Sequence, residues 1–126
     1  MSGYSIAVLT IVALILLLQF LPWFRARLLR GKPAPDITRE LPSVGDDLLI
    51  YFWSPRCGAC RTMTRIVDSL MARRKDVVKV DASAAPELAR KFHVMATPTL
   101  VRVHHGRIEE VLIGSRSEEE IRRLLP

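Results

Sequence analysis

The sequence predicts an α/β fold, a central mixed β-sheet flanked by helices, preceded by one N-terminal transmembrane helix. Three observations carry this. The chain opens on a long uncharged apolar stretch. From residue 36 onward, short apolar runs alternate with segments of helical periodicity. A Cys57-Gly58-Ala59-Cys60 motif stands where the first of those runs gives way to the helix after it. With 126 residues there is room for one domain and a short appendage.

The appendage comes first. No residue from Tyr4 to Phe24 is charged, and Ile6 to Leu18 is interrupted only by Thr10. As a helix, Ile6 to Phe24 spans ~28 Å, close to the ~30 Å hydrocarbon thickness of a bilayer. Trp23 and Phe24 suit the interfacial belt, and Pro22 falls in the last turn, where it disturbs the helix least. A cleaved signal peptide is the competing reading, but Met1 to Ile6 holds no Lys or Arg and Leu21 to Arg30 no Ala-x-Ala site. Arg25, Arg27, Arg30 and Lys32 follow the span with no Lys or Arg before it. The positive-inside rule therefore puts the amino terminus outside and the domain in the cytoplasm. The alternative is that these residues only bind anionic head groups and the domain is extracytoplasmic. The organisation expected is a transmembrane helix over 4–24, a basic juxtamembrane linker over 25–35 and a globular domain over 36–126.

That flank also accounts for most of the charge. The net charge is +6, but removing the four flanking cations leaves 15 Lys+Arg against 13 Asp+Glu in residues 33 to 126. With no basic stripe interleaved with aromatics, nucleic acid is not an expected partner.

Within the domain, Asp36 to Leu41 reads as a short edge strand and Pro42 to Asp47 as a turn. Leu48 to Trp53 is continuously apolar, as in a central strand buried on both faces. A helix is expected from about Ala59 to Ala72, with Met63, Ile66, Val67 and Leu70 on one face. Val77 to Val80 reads as a second buried strand, making a parallel crossover with the first. A short helix from Pro86 to Phe92 is expected next, capped by Ser83. Thr99 to His104 and Arg107 to Ile113 form a hairpin about Gly106. Ser115 or Ser117 caps a last helix, which starts on Glu118 to Glu120 and ends on Arg122 and Arg123, matching the helix dipole.

Two cysteines at i and i+3 suit reversible dithiol–disulfide chemistry, because one helical turn brings their Cα atoms within the 4.4 to 6.8 Å or so that a disulfide requires. Cys57 is expected at the helix N-terminus between Arg56 and Arg61, where positive potential favours its thiolate. Cys60 is expected one turn inside, where burial opposes ionisation. That makes Cys57 the attacking thiol and Cys60 the resolving one. A structural zinc site needs four ligands, and six strand residues at ~3.3 Å each put the turn residues His104 and His105 roughly 20 Å from the cysteines. A soft copper site completed by His93 with Met95 or Met63 stays open as an alternative.

The order strand, Cys-x-x-Cys helix, strand, helix, Thr-Pro, hairpin, helix resembles the thioredoxin family over residues 36 to 126. Phe52-Trp53, Lys79-Val80-Asp81, Ala96-Thr97-Pro98-Thr99-Leu100, Gly106 and Gly114 carry the resemblance beyond the cysteines. It implies that Pro98 is cis, that the backbone before it pairs with a substrate peptide, and that Trp53, Arg56, Ala96, Thr97 and Gly114 line the same groove. There are departures. Tyr51 stands where the family places a buried aspartate that assists deprotonation of the second cysteine, although the matching Lys79 is present, and the Tyr51 hydroxyl is expected to find Lys79. Arg56 replaces a tryptophan and Ala59 a proline, and only about fifteen residues separate Pro33 from Leu48, which shortens the first strand and helix.

The resulting expectation is a membrane-anchored thiol–disulfide oxidoreductase that reduces or exchanges disulfides in a membrane-associated partner protein. It needs no bound cofactor and draws electrons from an upstream dithiol reductant. The rival is a membrane-tethered scaffold or copper carrier without turnover.

Overall fold

The computed structural model describes residues 2–34, 45 and 47–125. The edge strand expected over Asp36 to Leu41, and most of the turn after it, lie outside the described residues. In chain order the elements are α1 (Gly3–Leu29), β1 (Leu48–Trp53), α2 (Cys60–Met71), β2 (Val77–Asp81), α3 (Pro86–Lys91), β3 (Thr99–His104), β4 (Arg107–Ile113) and α4 (Glu118–Arg123).

The four strands form one mixed sheet in the order β2-β1-β3-β4. β1 runs parallel to β2, with Trp53 opposite Asp81, and antiparallel to β3, with Phe52 opposite Thr99. β4 returns beside β3, pairing Thr99 with Ile113 and His104 with Arg107. One end of the sheet is thus made by Trp53, Asp81, Thr99 and Ile113. The other is made by Leu48, Val77, His104 and Arg107.

β1 is central, and its side chains alternate between two cores. Leu48, Ile50 and Phe52 join Val101, Val103, Phe92 and Ile108 on the face covered by α3. Leu49 and Tyr51 join Met63, Val67, Leu100 and Ile121 on the face covered by α2 and α4. This is why the run is apolar without a gap. On α2, Met63 and Val67 are fully buried and Ile66 and Leu70 half-buried, as the spacing predicts. α4 opens with a capping box in which the Ser117 hydroxyl accepts from the Glu120 amide and the Glu120 carboxylate accepts from the Ser117 amide.

Two local expectations are corrected. Ser83 does not cap α3, whose N-cap is Ala85 with no side-chain bond. Instead the Ser83 hydroxyl and amide, with the Ala84 amide, donate to the Asp81 carboxylate. A carboxylate accepts several amides at once, which a hydroxyl three residues before the helix cannot do. Nor does Cys57 lie in the α-helix, which begins at Cys60. Cys57 stands in the turn before it, joined by the i→i+3 bonds Cys60 N–H to Cys57 O and Arg61 N–H to Gly58 O.

The largest difference concerns the front of the chain. α1 is long and apolar enough to cross a membrane, and its apolar window is not covered by the rest of the chain. The helix continues through Leu29, past Phe24, where the apolar span ends. Ala26 and Leu29 are buried, and Leu29 belongs to the core of the α3 face. The residues after it pair with the start of β4. Gly31 N–H donates to Ile108 O at 2.6 Å, Ile108 N–H to Lys32 O at 2.9 Å and Ala34 N–H to Gly106 O at 2.8 Å. Arg30 pairs with Glu110, and the Arg107 guanidinium donates to Gly31 O. The segment expected as a linker is therefore docked, because backbone groups on the β4 edge find their partners there.

Candidate active site

Three segments meet at the sheet end formed by Trp53, Thr99 and Ile113. The first leaves β1 at Trp53, whose carbonyl accepts from the Ala82 amide, and turns through Ser54 to Ala59. Cys57 and Cys60 are joined there as a disulfide with Cα atoms 5.3 Å apart, inside the range their spacing predicts. Cys57 is half-buried and Cys60 only 2% exposed. Arg56 and Arg61 flank the pair as exposed side chains.

The second segment is Met95 to Thr99. The Thr97–Pro98 peptide bond is cis, as the resemblance implies, and Pro98 is fully buried. The Thr99 hydroxyl donates to Ala96 O, closing this loop, while Ala96 is exposed and Thr97 half-buried. Ser54 Oγ and Thr97 Oγ1 lie 3.4 Å apart, linking it to the cysteine turn. The third segment follows β4. Gly114 holds a positive φ of 94°, which favours glycine, and its amide donates to Pro98 O at 2.9 Å. Ser115 Oγ donates to Ala59 O. The chain thus gathers Trp53, Arg56, Cys57, Cys60, Ala96, Thr97, Pro98 and Gly114 at one end of the sheet.

Tyr51 does not meet Lys79. Its hydroxyl donates to Cys60 O at 3.1 Å and lies 3.0 Å from Thr64 Oγ1, while Lys79 Nζ pairs with Asp68 at 2.7 Å and stands 5.3 Å from the Trp53 ring centroid. The long tyrosine reaches past the strand to the start of α2, where Thr64, one turn after Cys60, offers a second hydroxyl. Burial pushes the Tyr51 phenol above its usual pKa, so it stays neutral. Sequence reading missed Thr64, Ser54 and Ser115; Thr64 alone carried a signal, at i+4 from Cys60 on the inward face. Of the donors in the copper alternative, Met63 is core on the α2 face, His93 is exposed after α3, and Met95 Sδ accepts from Arg25 Nη1.

The thioredoxin family model matches residues 37–126. The chain belongs to the thioredoxin family. With Cys57 and Cys60 in place, this thioredoxin domain is a thiol–disulfide oxidoreductase. It is 32% identical to thioredoxin from Listeria monocytogenes over 93 residues, covering 71% of this chain and 90% of that one. It is 31% identical to thioredoxin from Bacillus subtilis over 81 residues, 62% of this chain and 78% of that one. Among solved structures, oxidised mitochondrial thioredoxin 3 from Saccharomyces cerevisiae superposes with a TM-score of 0.56 at 30% identity, covering 68% of this chain and 81% of that one.

Proposed function

We propose that this protein is a membrane-anchored thioredoxin that reduces or exchanges disulfides in a membrane-associated partner, with its domain on the cytoplasmic side. The observation that carries the chemistry is the unequal burial of the two cysteines beside the Pro98 loop. In the dithiol form the accessible Cys57 thiolate attacks one sulfur of the partner's disulfide, forming a mixed disulfide and releasing the other sulfur as a thiolate, which takes a proton from solvent. Cys60 then loses its proton and attacks Cys57. The second partner thiol leaves, and the Cys57–Cys60 disulfide remains. Two electrons and two protons pass to the partner, and an upstream dithiol protein restores them. The groove around Pro98, lined by Trp53, Arg56, Ala96, Thr97 and Gly114, positions the partner's peptide. Tyr51 and Lys79 stand behind it in structural roles.

Cys60→Ser should accumulate a mixed disulfide with the partner, and Cys57→Ser should not. Equal alkylation of the two thiols at mildly acidic pH would overturn the assignment of roles. Anchoring and sidedness are tested by fusing one-sided reporters to the carboxyl terminus. Activity of the export-dependent reporter alone would move the domain to the other side of the membrane.

A further inference from the structure

We infer that the redox face of the domain is turned toward the bilayer, and that its substrate is a disulfide of an integral membrane protein close to the membrane surface. The inference rests on the anchoring reading above and adds to it a direction.

The direction comes from how α1 lies along β4. At the sheet end remote from the cysteines, Gly31 and Lys32 exchange backbone bonds with Ile108. Going back along the helix, Arg30 reaches Glu110, and Arg27, Ala26 and Trp23 line a cleft with Val111 to Ile113. Pro22 then lines a second cleft with Val94, Met95, Thr99 and Ile113. Leu29 to Pro22 therefore runs the same way as Ile108 to Ile113, toward the end that holds Cys57, Pro98 and Gly114. The buried or half-buried positions Pro22, Ala26 and Leu29 follow i, i+4, i+7, one helical face. Beyond Leu21 this contact stops, and residues 6–20 project exposed past the redox end.

Height follows from the same contacts. The apolar span ends at Phe24, and the loop before Pro98 meets α1 through Met95 and Arg25 and shares a cleft with Pro22, one turn earlier. That loop stands within about one turn, ~5 Å, of the hydrocarbon boundary. Cys57 follows β1, two strands in from β4, a sideways offset on the order of 10 Å.

The surface composition of this face agrees. The segments 53–61, 93–99 and 113–117 contain Arg56, Arg61 and Arg116 and no Asp or Glu. Arg116 lines the cleft beside α1 with Arg27 and Arg30. Its Nε is buried without a partner. Met95, 54% exposed, adds an apolar contact beside Pro98. Asp81, at the same sheet end, has its carboxylate engaged by Ser83 and Ala84, and three arginines with an exposed methionine suit the phosphate and upper acyl region of a leaflet.

The test uses the full chain in nanodiscs containing anionic lipid. Trp23→Phe leaves Trp53, beside the cysteines, as the only tryptophan. Trp23→Phe, Trp53→Phe and His105→Trp together place a single reporter at the other end, one strand or ~20 Å away. A nitroxide on the lipid head group should quench Trp53 severalfold more than the tryptophan at 105. Equal or reversed quenching in particles that retain the protein overturns the orientation alone. Failure of the chain to co-float with vesicles overturns the anchoring, and the proposal with it. For the substrate, protein reduced with dithiothreitol and freed of excess is mixed with single-span peptides. Their disulfide sits either just beyond the span or about 20 helical residues, ~30 Å, further out. The near probe should be reduced on the order of tenfold faster in a single turnover, because its effective concentration at Cys57 is higher. Equal rates, or a faster far probe, overturn the substrate assignment.

Discussion

The two ends of the sheet are built from the same strands and carry different chemistry. At one end the chain gathers a disulfide, a cis proline loop and Gly114. At the other, His104 Nδ1 lies 2.9 Å from Asp47 Oδ1, the His105 amide donates to the same oxygen, and the two imidazoles meet tilted at 48° with centroids 3.9 Å apart. Both ends hold groups able to bind metals or move protons. Only one has a pair that can be oxidised, with one cysteine buried and the other half-buried, and a loop to present a peptide. Redox function here follows from convergence of three segments rather than from the presence of reactive residues.

Breaking the comparison at its strongest point gives the largest effect. Cys57→Ser should lower disulfide reduction by on the order of 10³-fold or more, because the nucleophile itself is lost. His105→Ala, at the opposite end, should leave the rate within about twofold, since it touches no group that reacts. An insulin-type turbidity assay reads both, and a comparable loss from His105→Ala would mean that the two ends are coupled.

A second test concerns the edge that joins the ends. Leu29 lies in α1 yet belongs to the α3-face core, so Leu29→Ala should cost the domain about 2–3 kcal/mol. Leu14→Ala, on the exposed part of the same helix, should leave the unfolding midpoint unchanged. Denaturant unfolding in detergent measures both. Equal midpoints for wild type and Leu29→Ala would mean that α1 is only tethered.

A smaller effect is expected at Tyr51. Tyr51→Phe keeps the ring in the core and removes the bonds to Cys60 O and Thr64, so it should cost about 1 kcal/mol. No change in the urea midpoint would show that water satisfies both partners equally well.

The smallest concerns two aspartates, one at each end. The His105 amide holds the Asp47 carboxyl below its ordinary value, and the Ser83 hydroxyl does the same for Asp81. Both folded values are depressed, so their contribution to stability is fully present above the unfolded value near 3.8 and is lost as pH falls through the folded values. Carbon-detected NMR titration should find both carboxyls titrating below that value, and the shift at Asp81 should shrink in Ser83→Ala, where the Ser83 and Ala84 amide bonds remain. A normal value at Asp47 would mean that the turn is open in solution.

Much of this was legible along the chain. The limits of β1, β3 and β4 match the apolar runs, because strands buried on one or both faces leave little choice of residue. The cysteine spacing, the Thr-Pro loop and the Ser117 cap are local patterns with local causes. Other features were not legible. The arginines after Phe24 mask Ala26 and Leu29, so the last turns of α1 read as a solvated flank although one face is core. Tyr51 was read toward Lys79, but Asp68 claims the lysine and the phenol reaches Cys60 O and Thr64.

The sequence by itself determined the strands, the apolar span, the dithiol and the family resemblance, since each depends on residues a few positions apart. Only the tertiary structure decided that residues 31–34 pair with β4, that α1 shares the domain's core, and that the span leaves past the redox end. Those contacts join positions some 75 residues apart. They are selected by complementary edges and faces, which no local periodicity records.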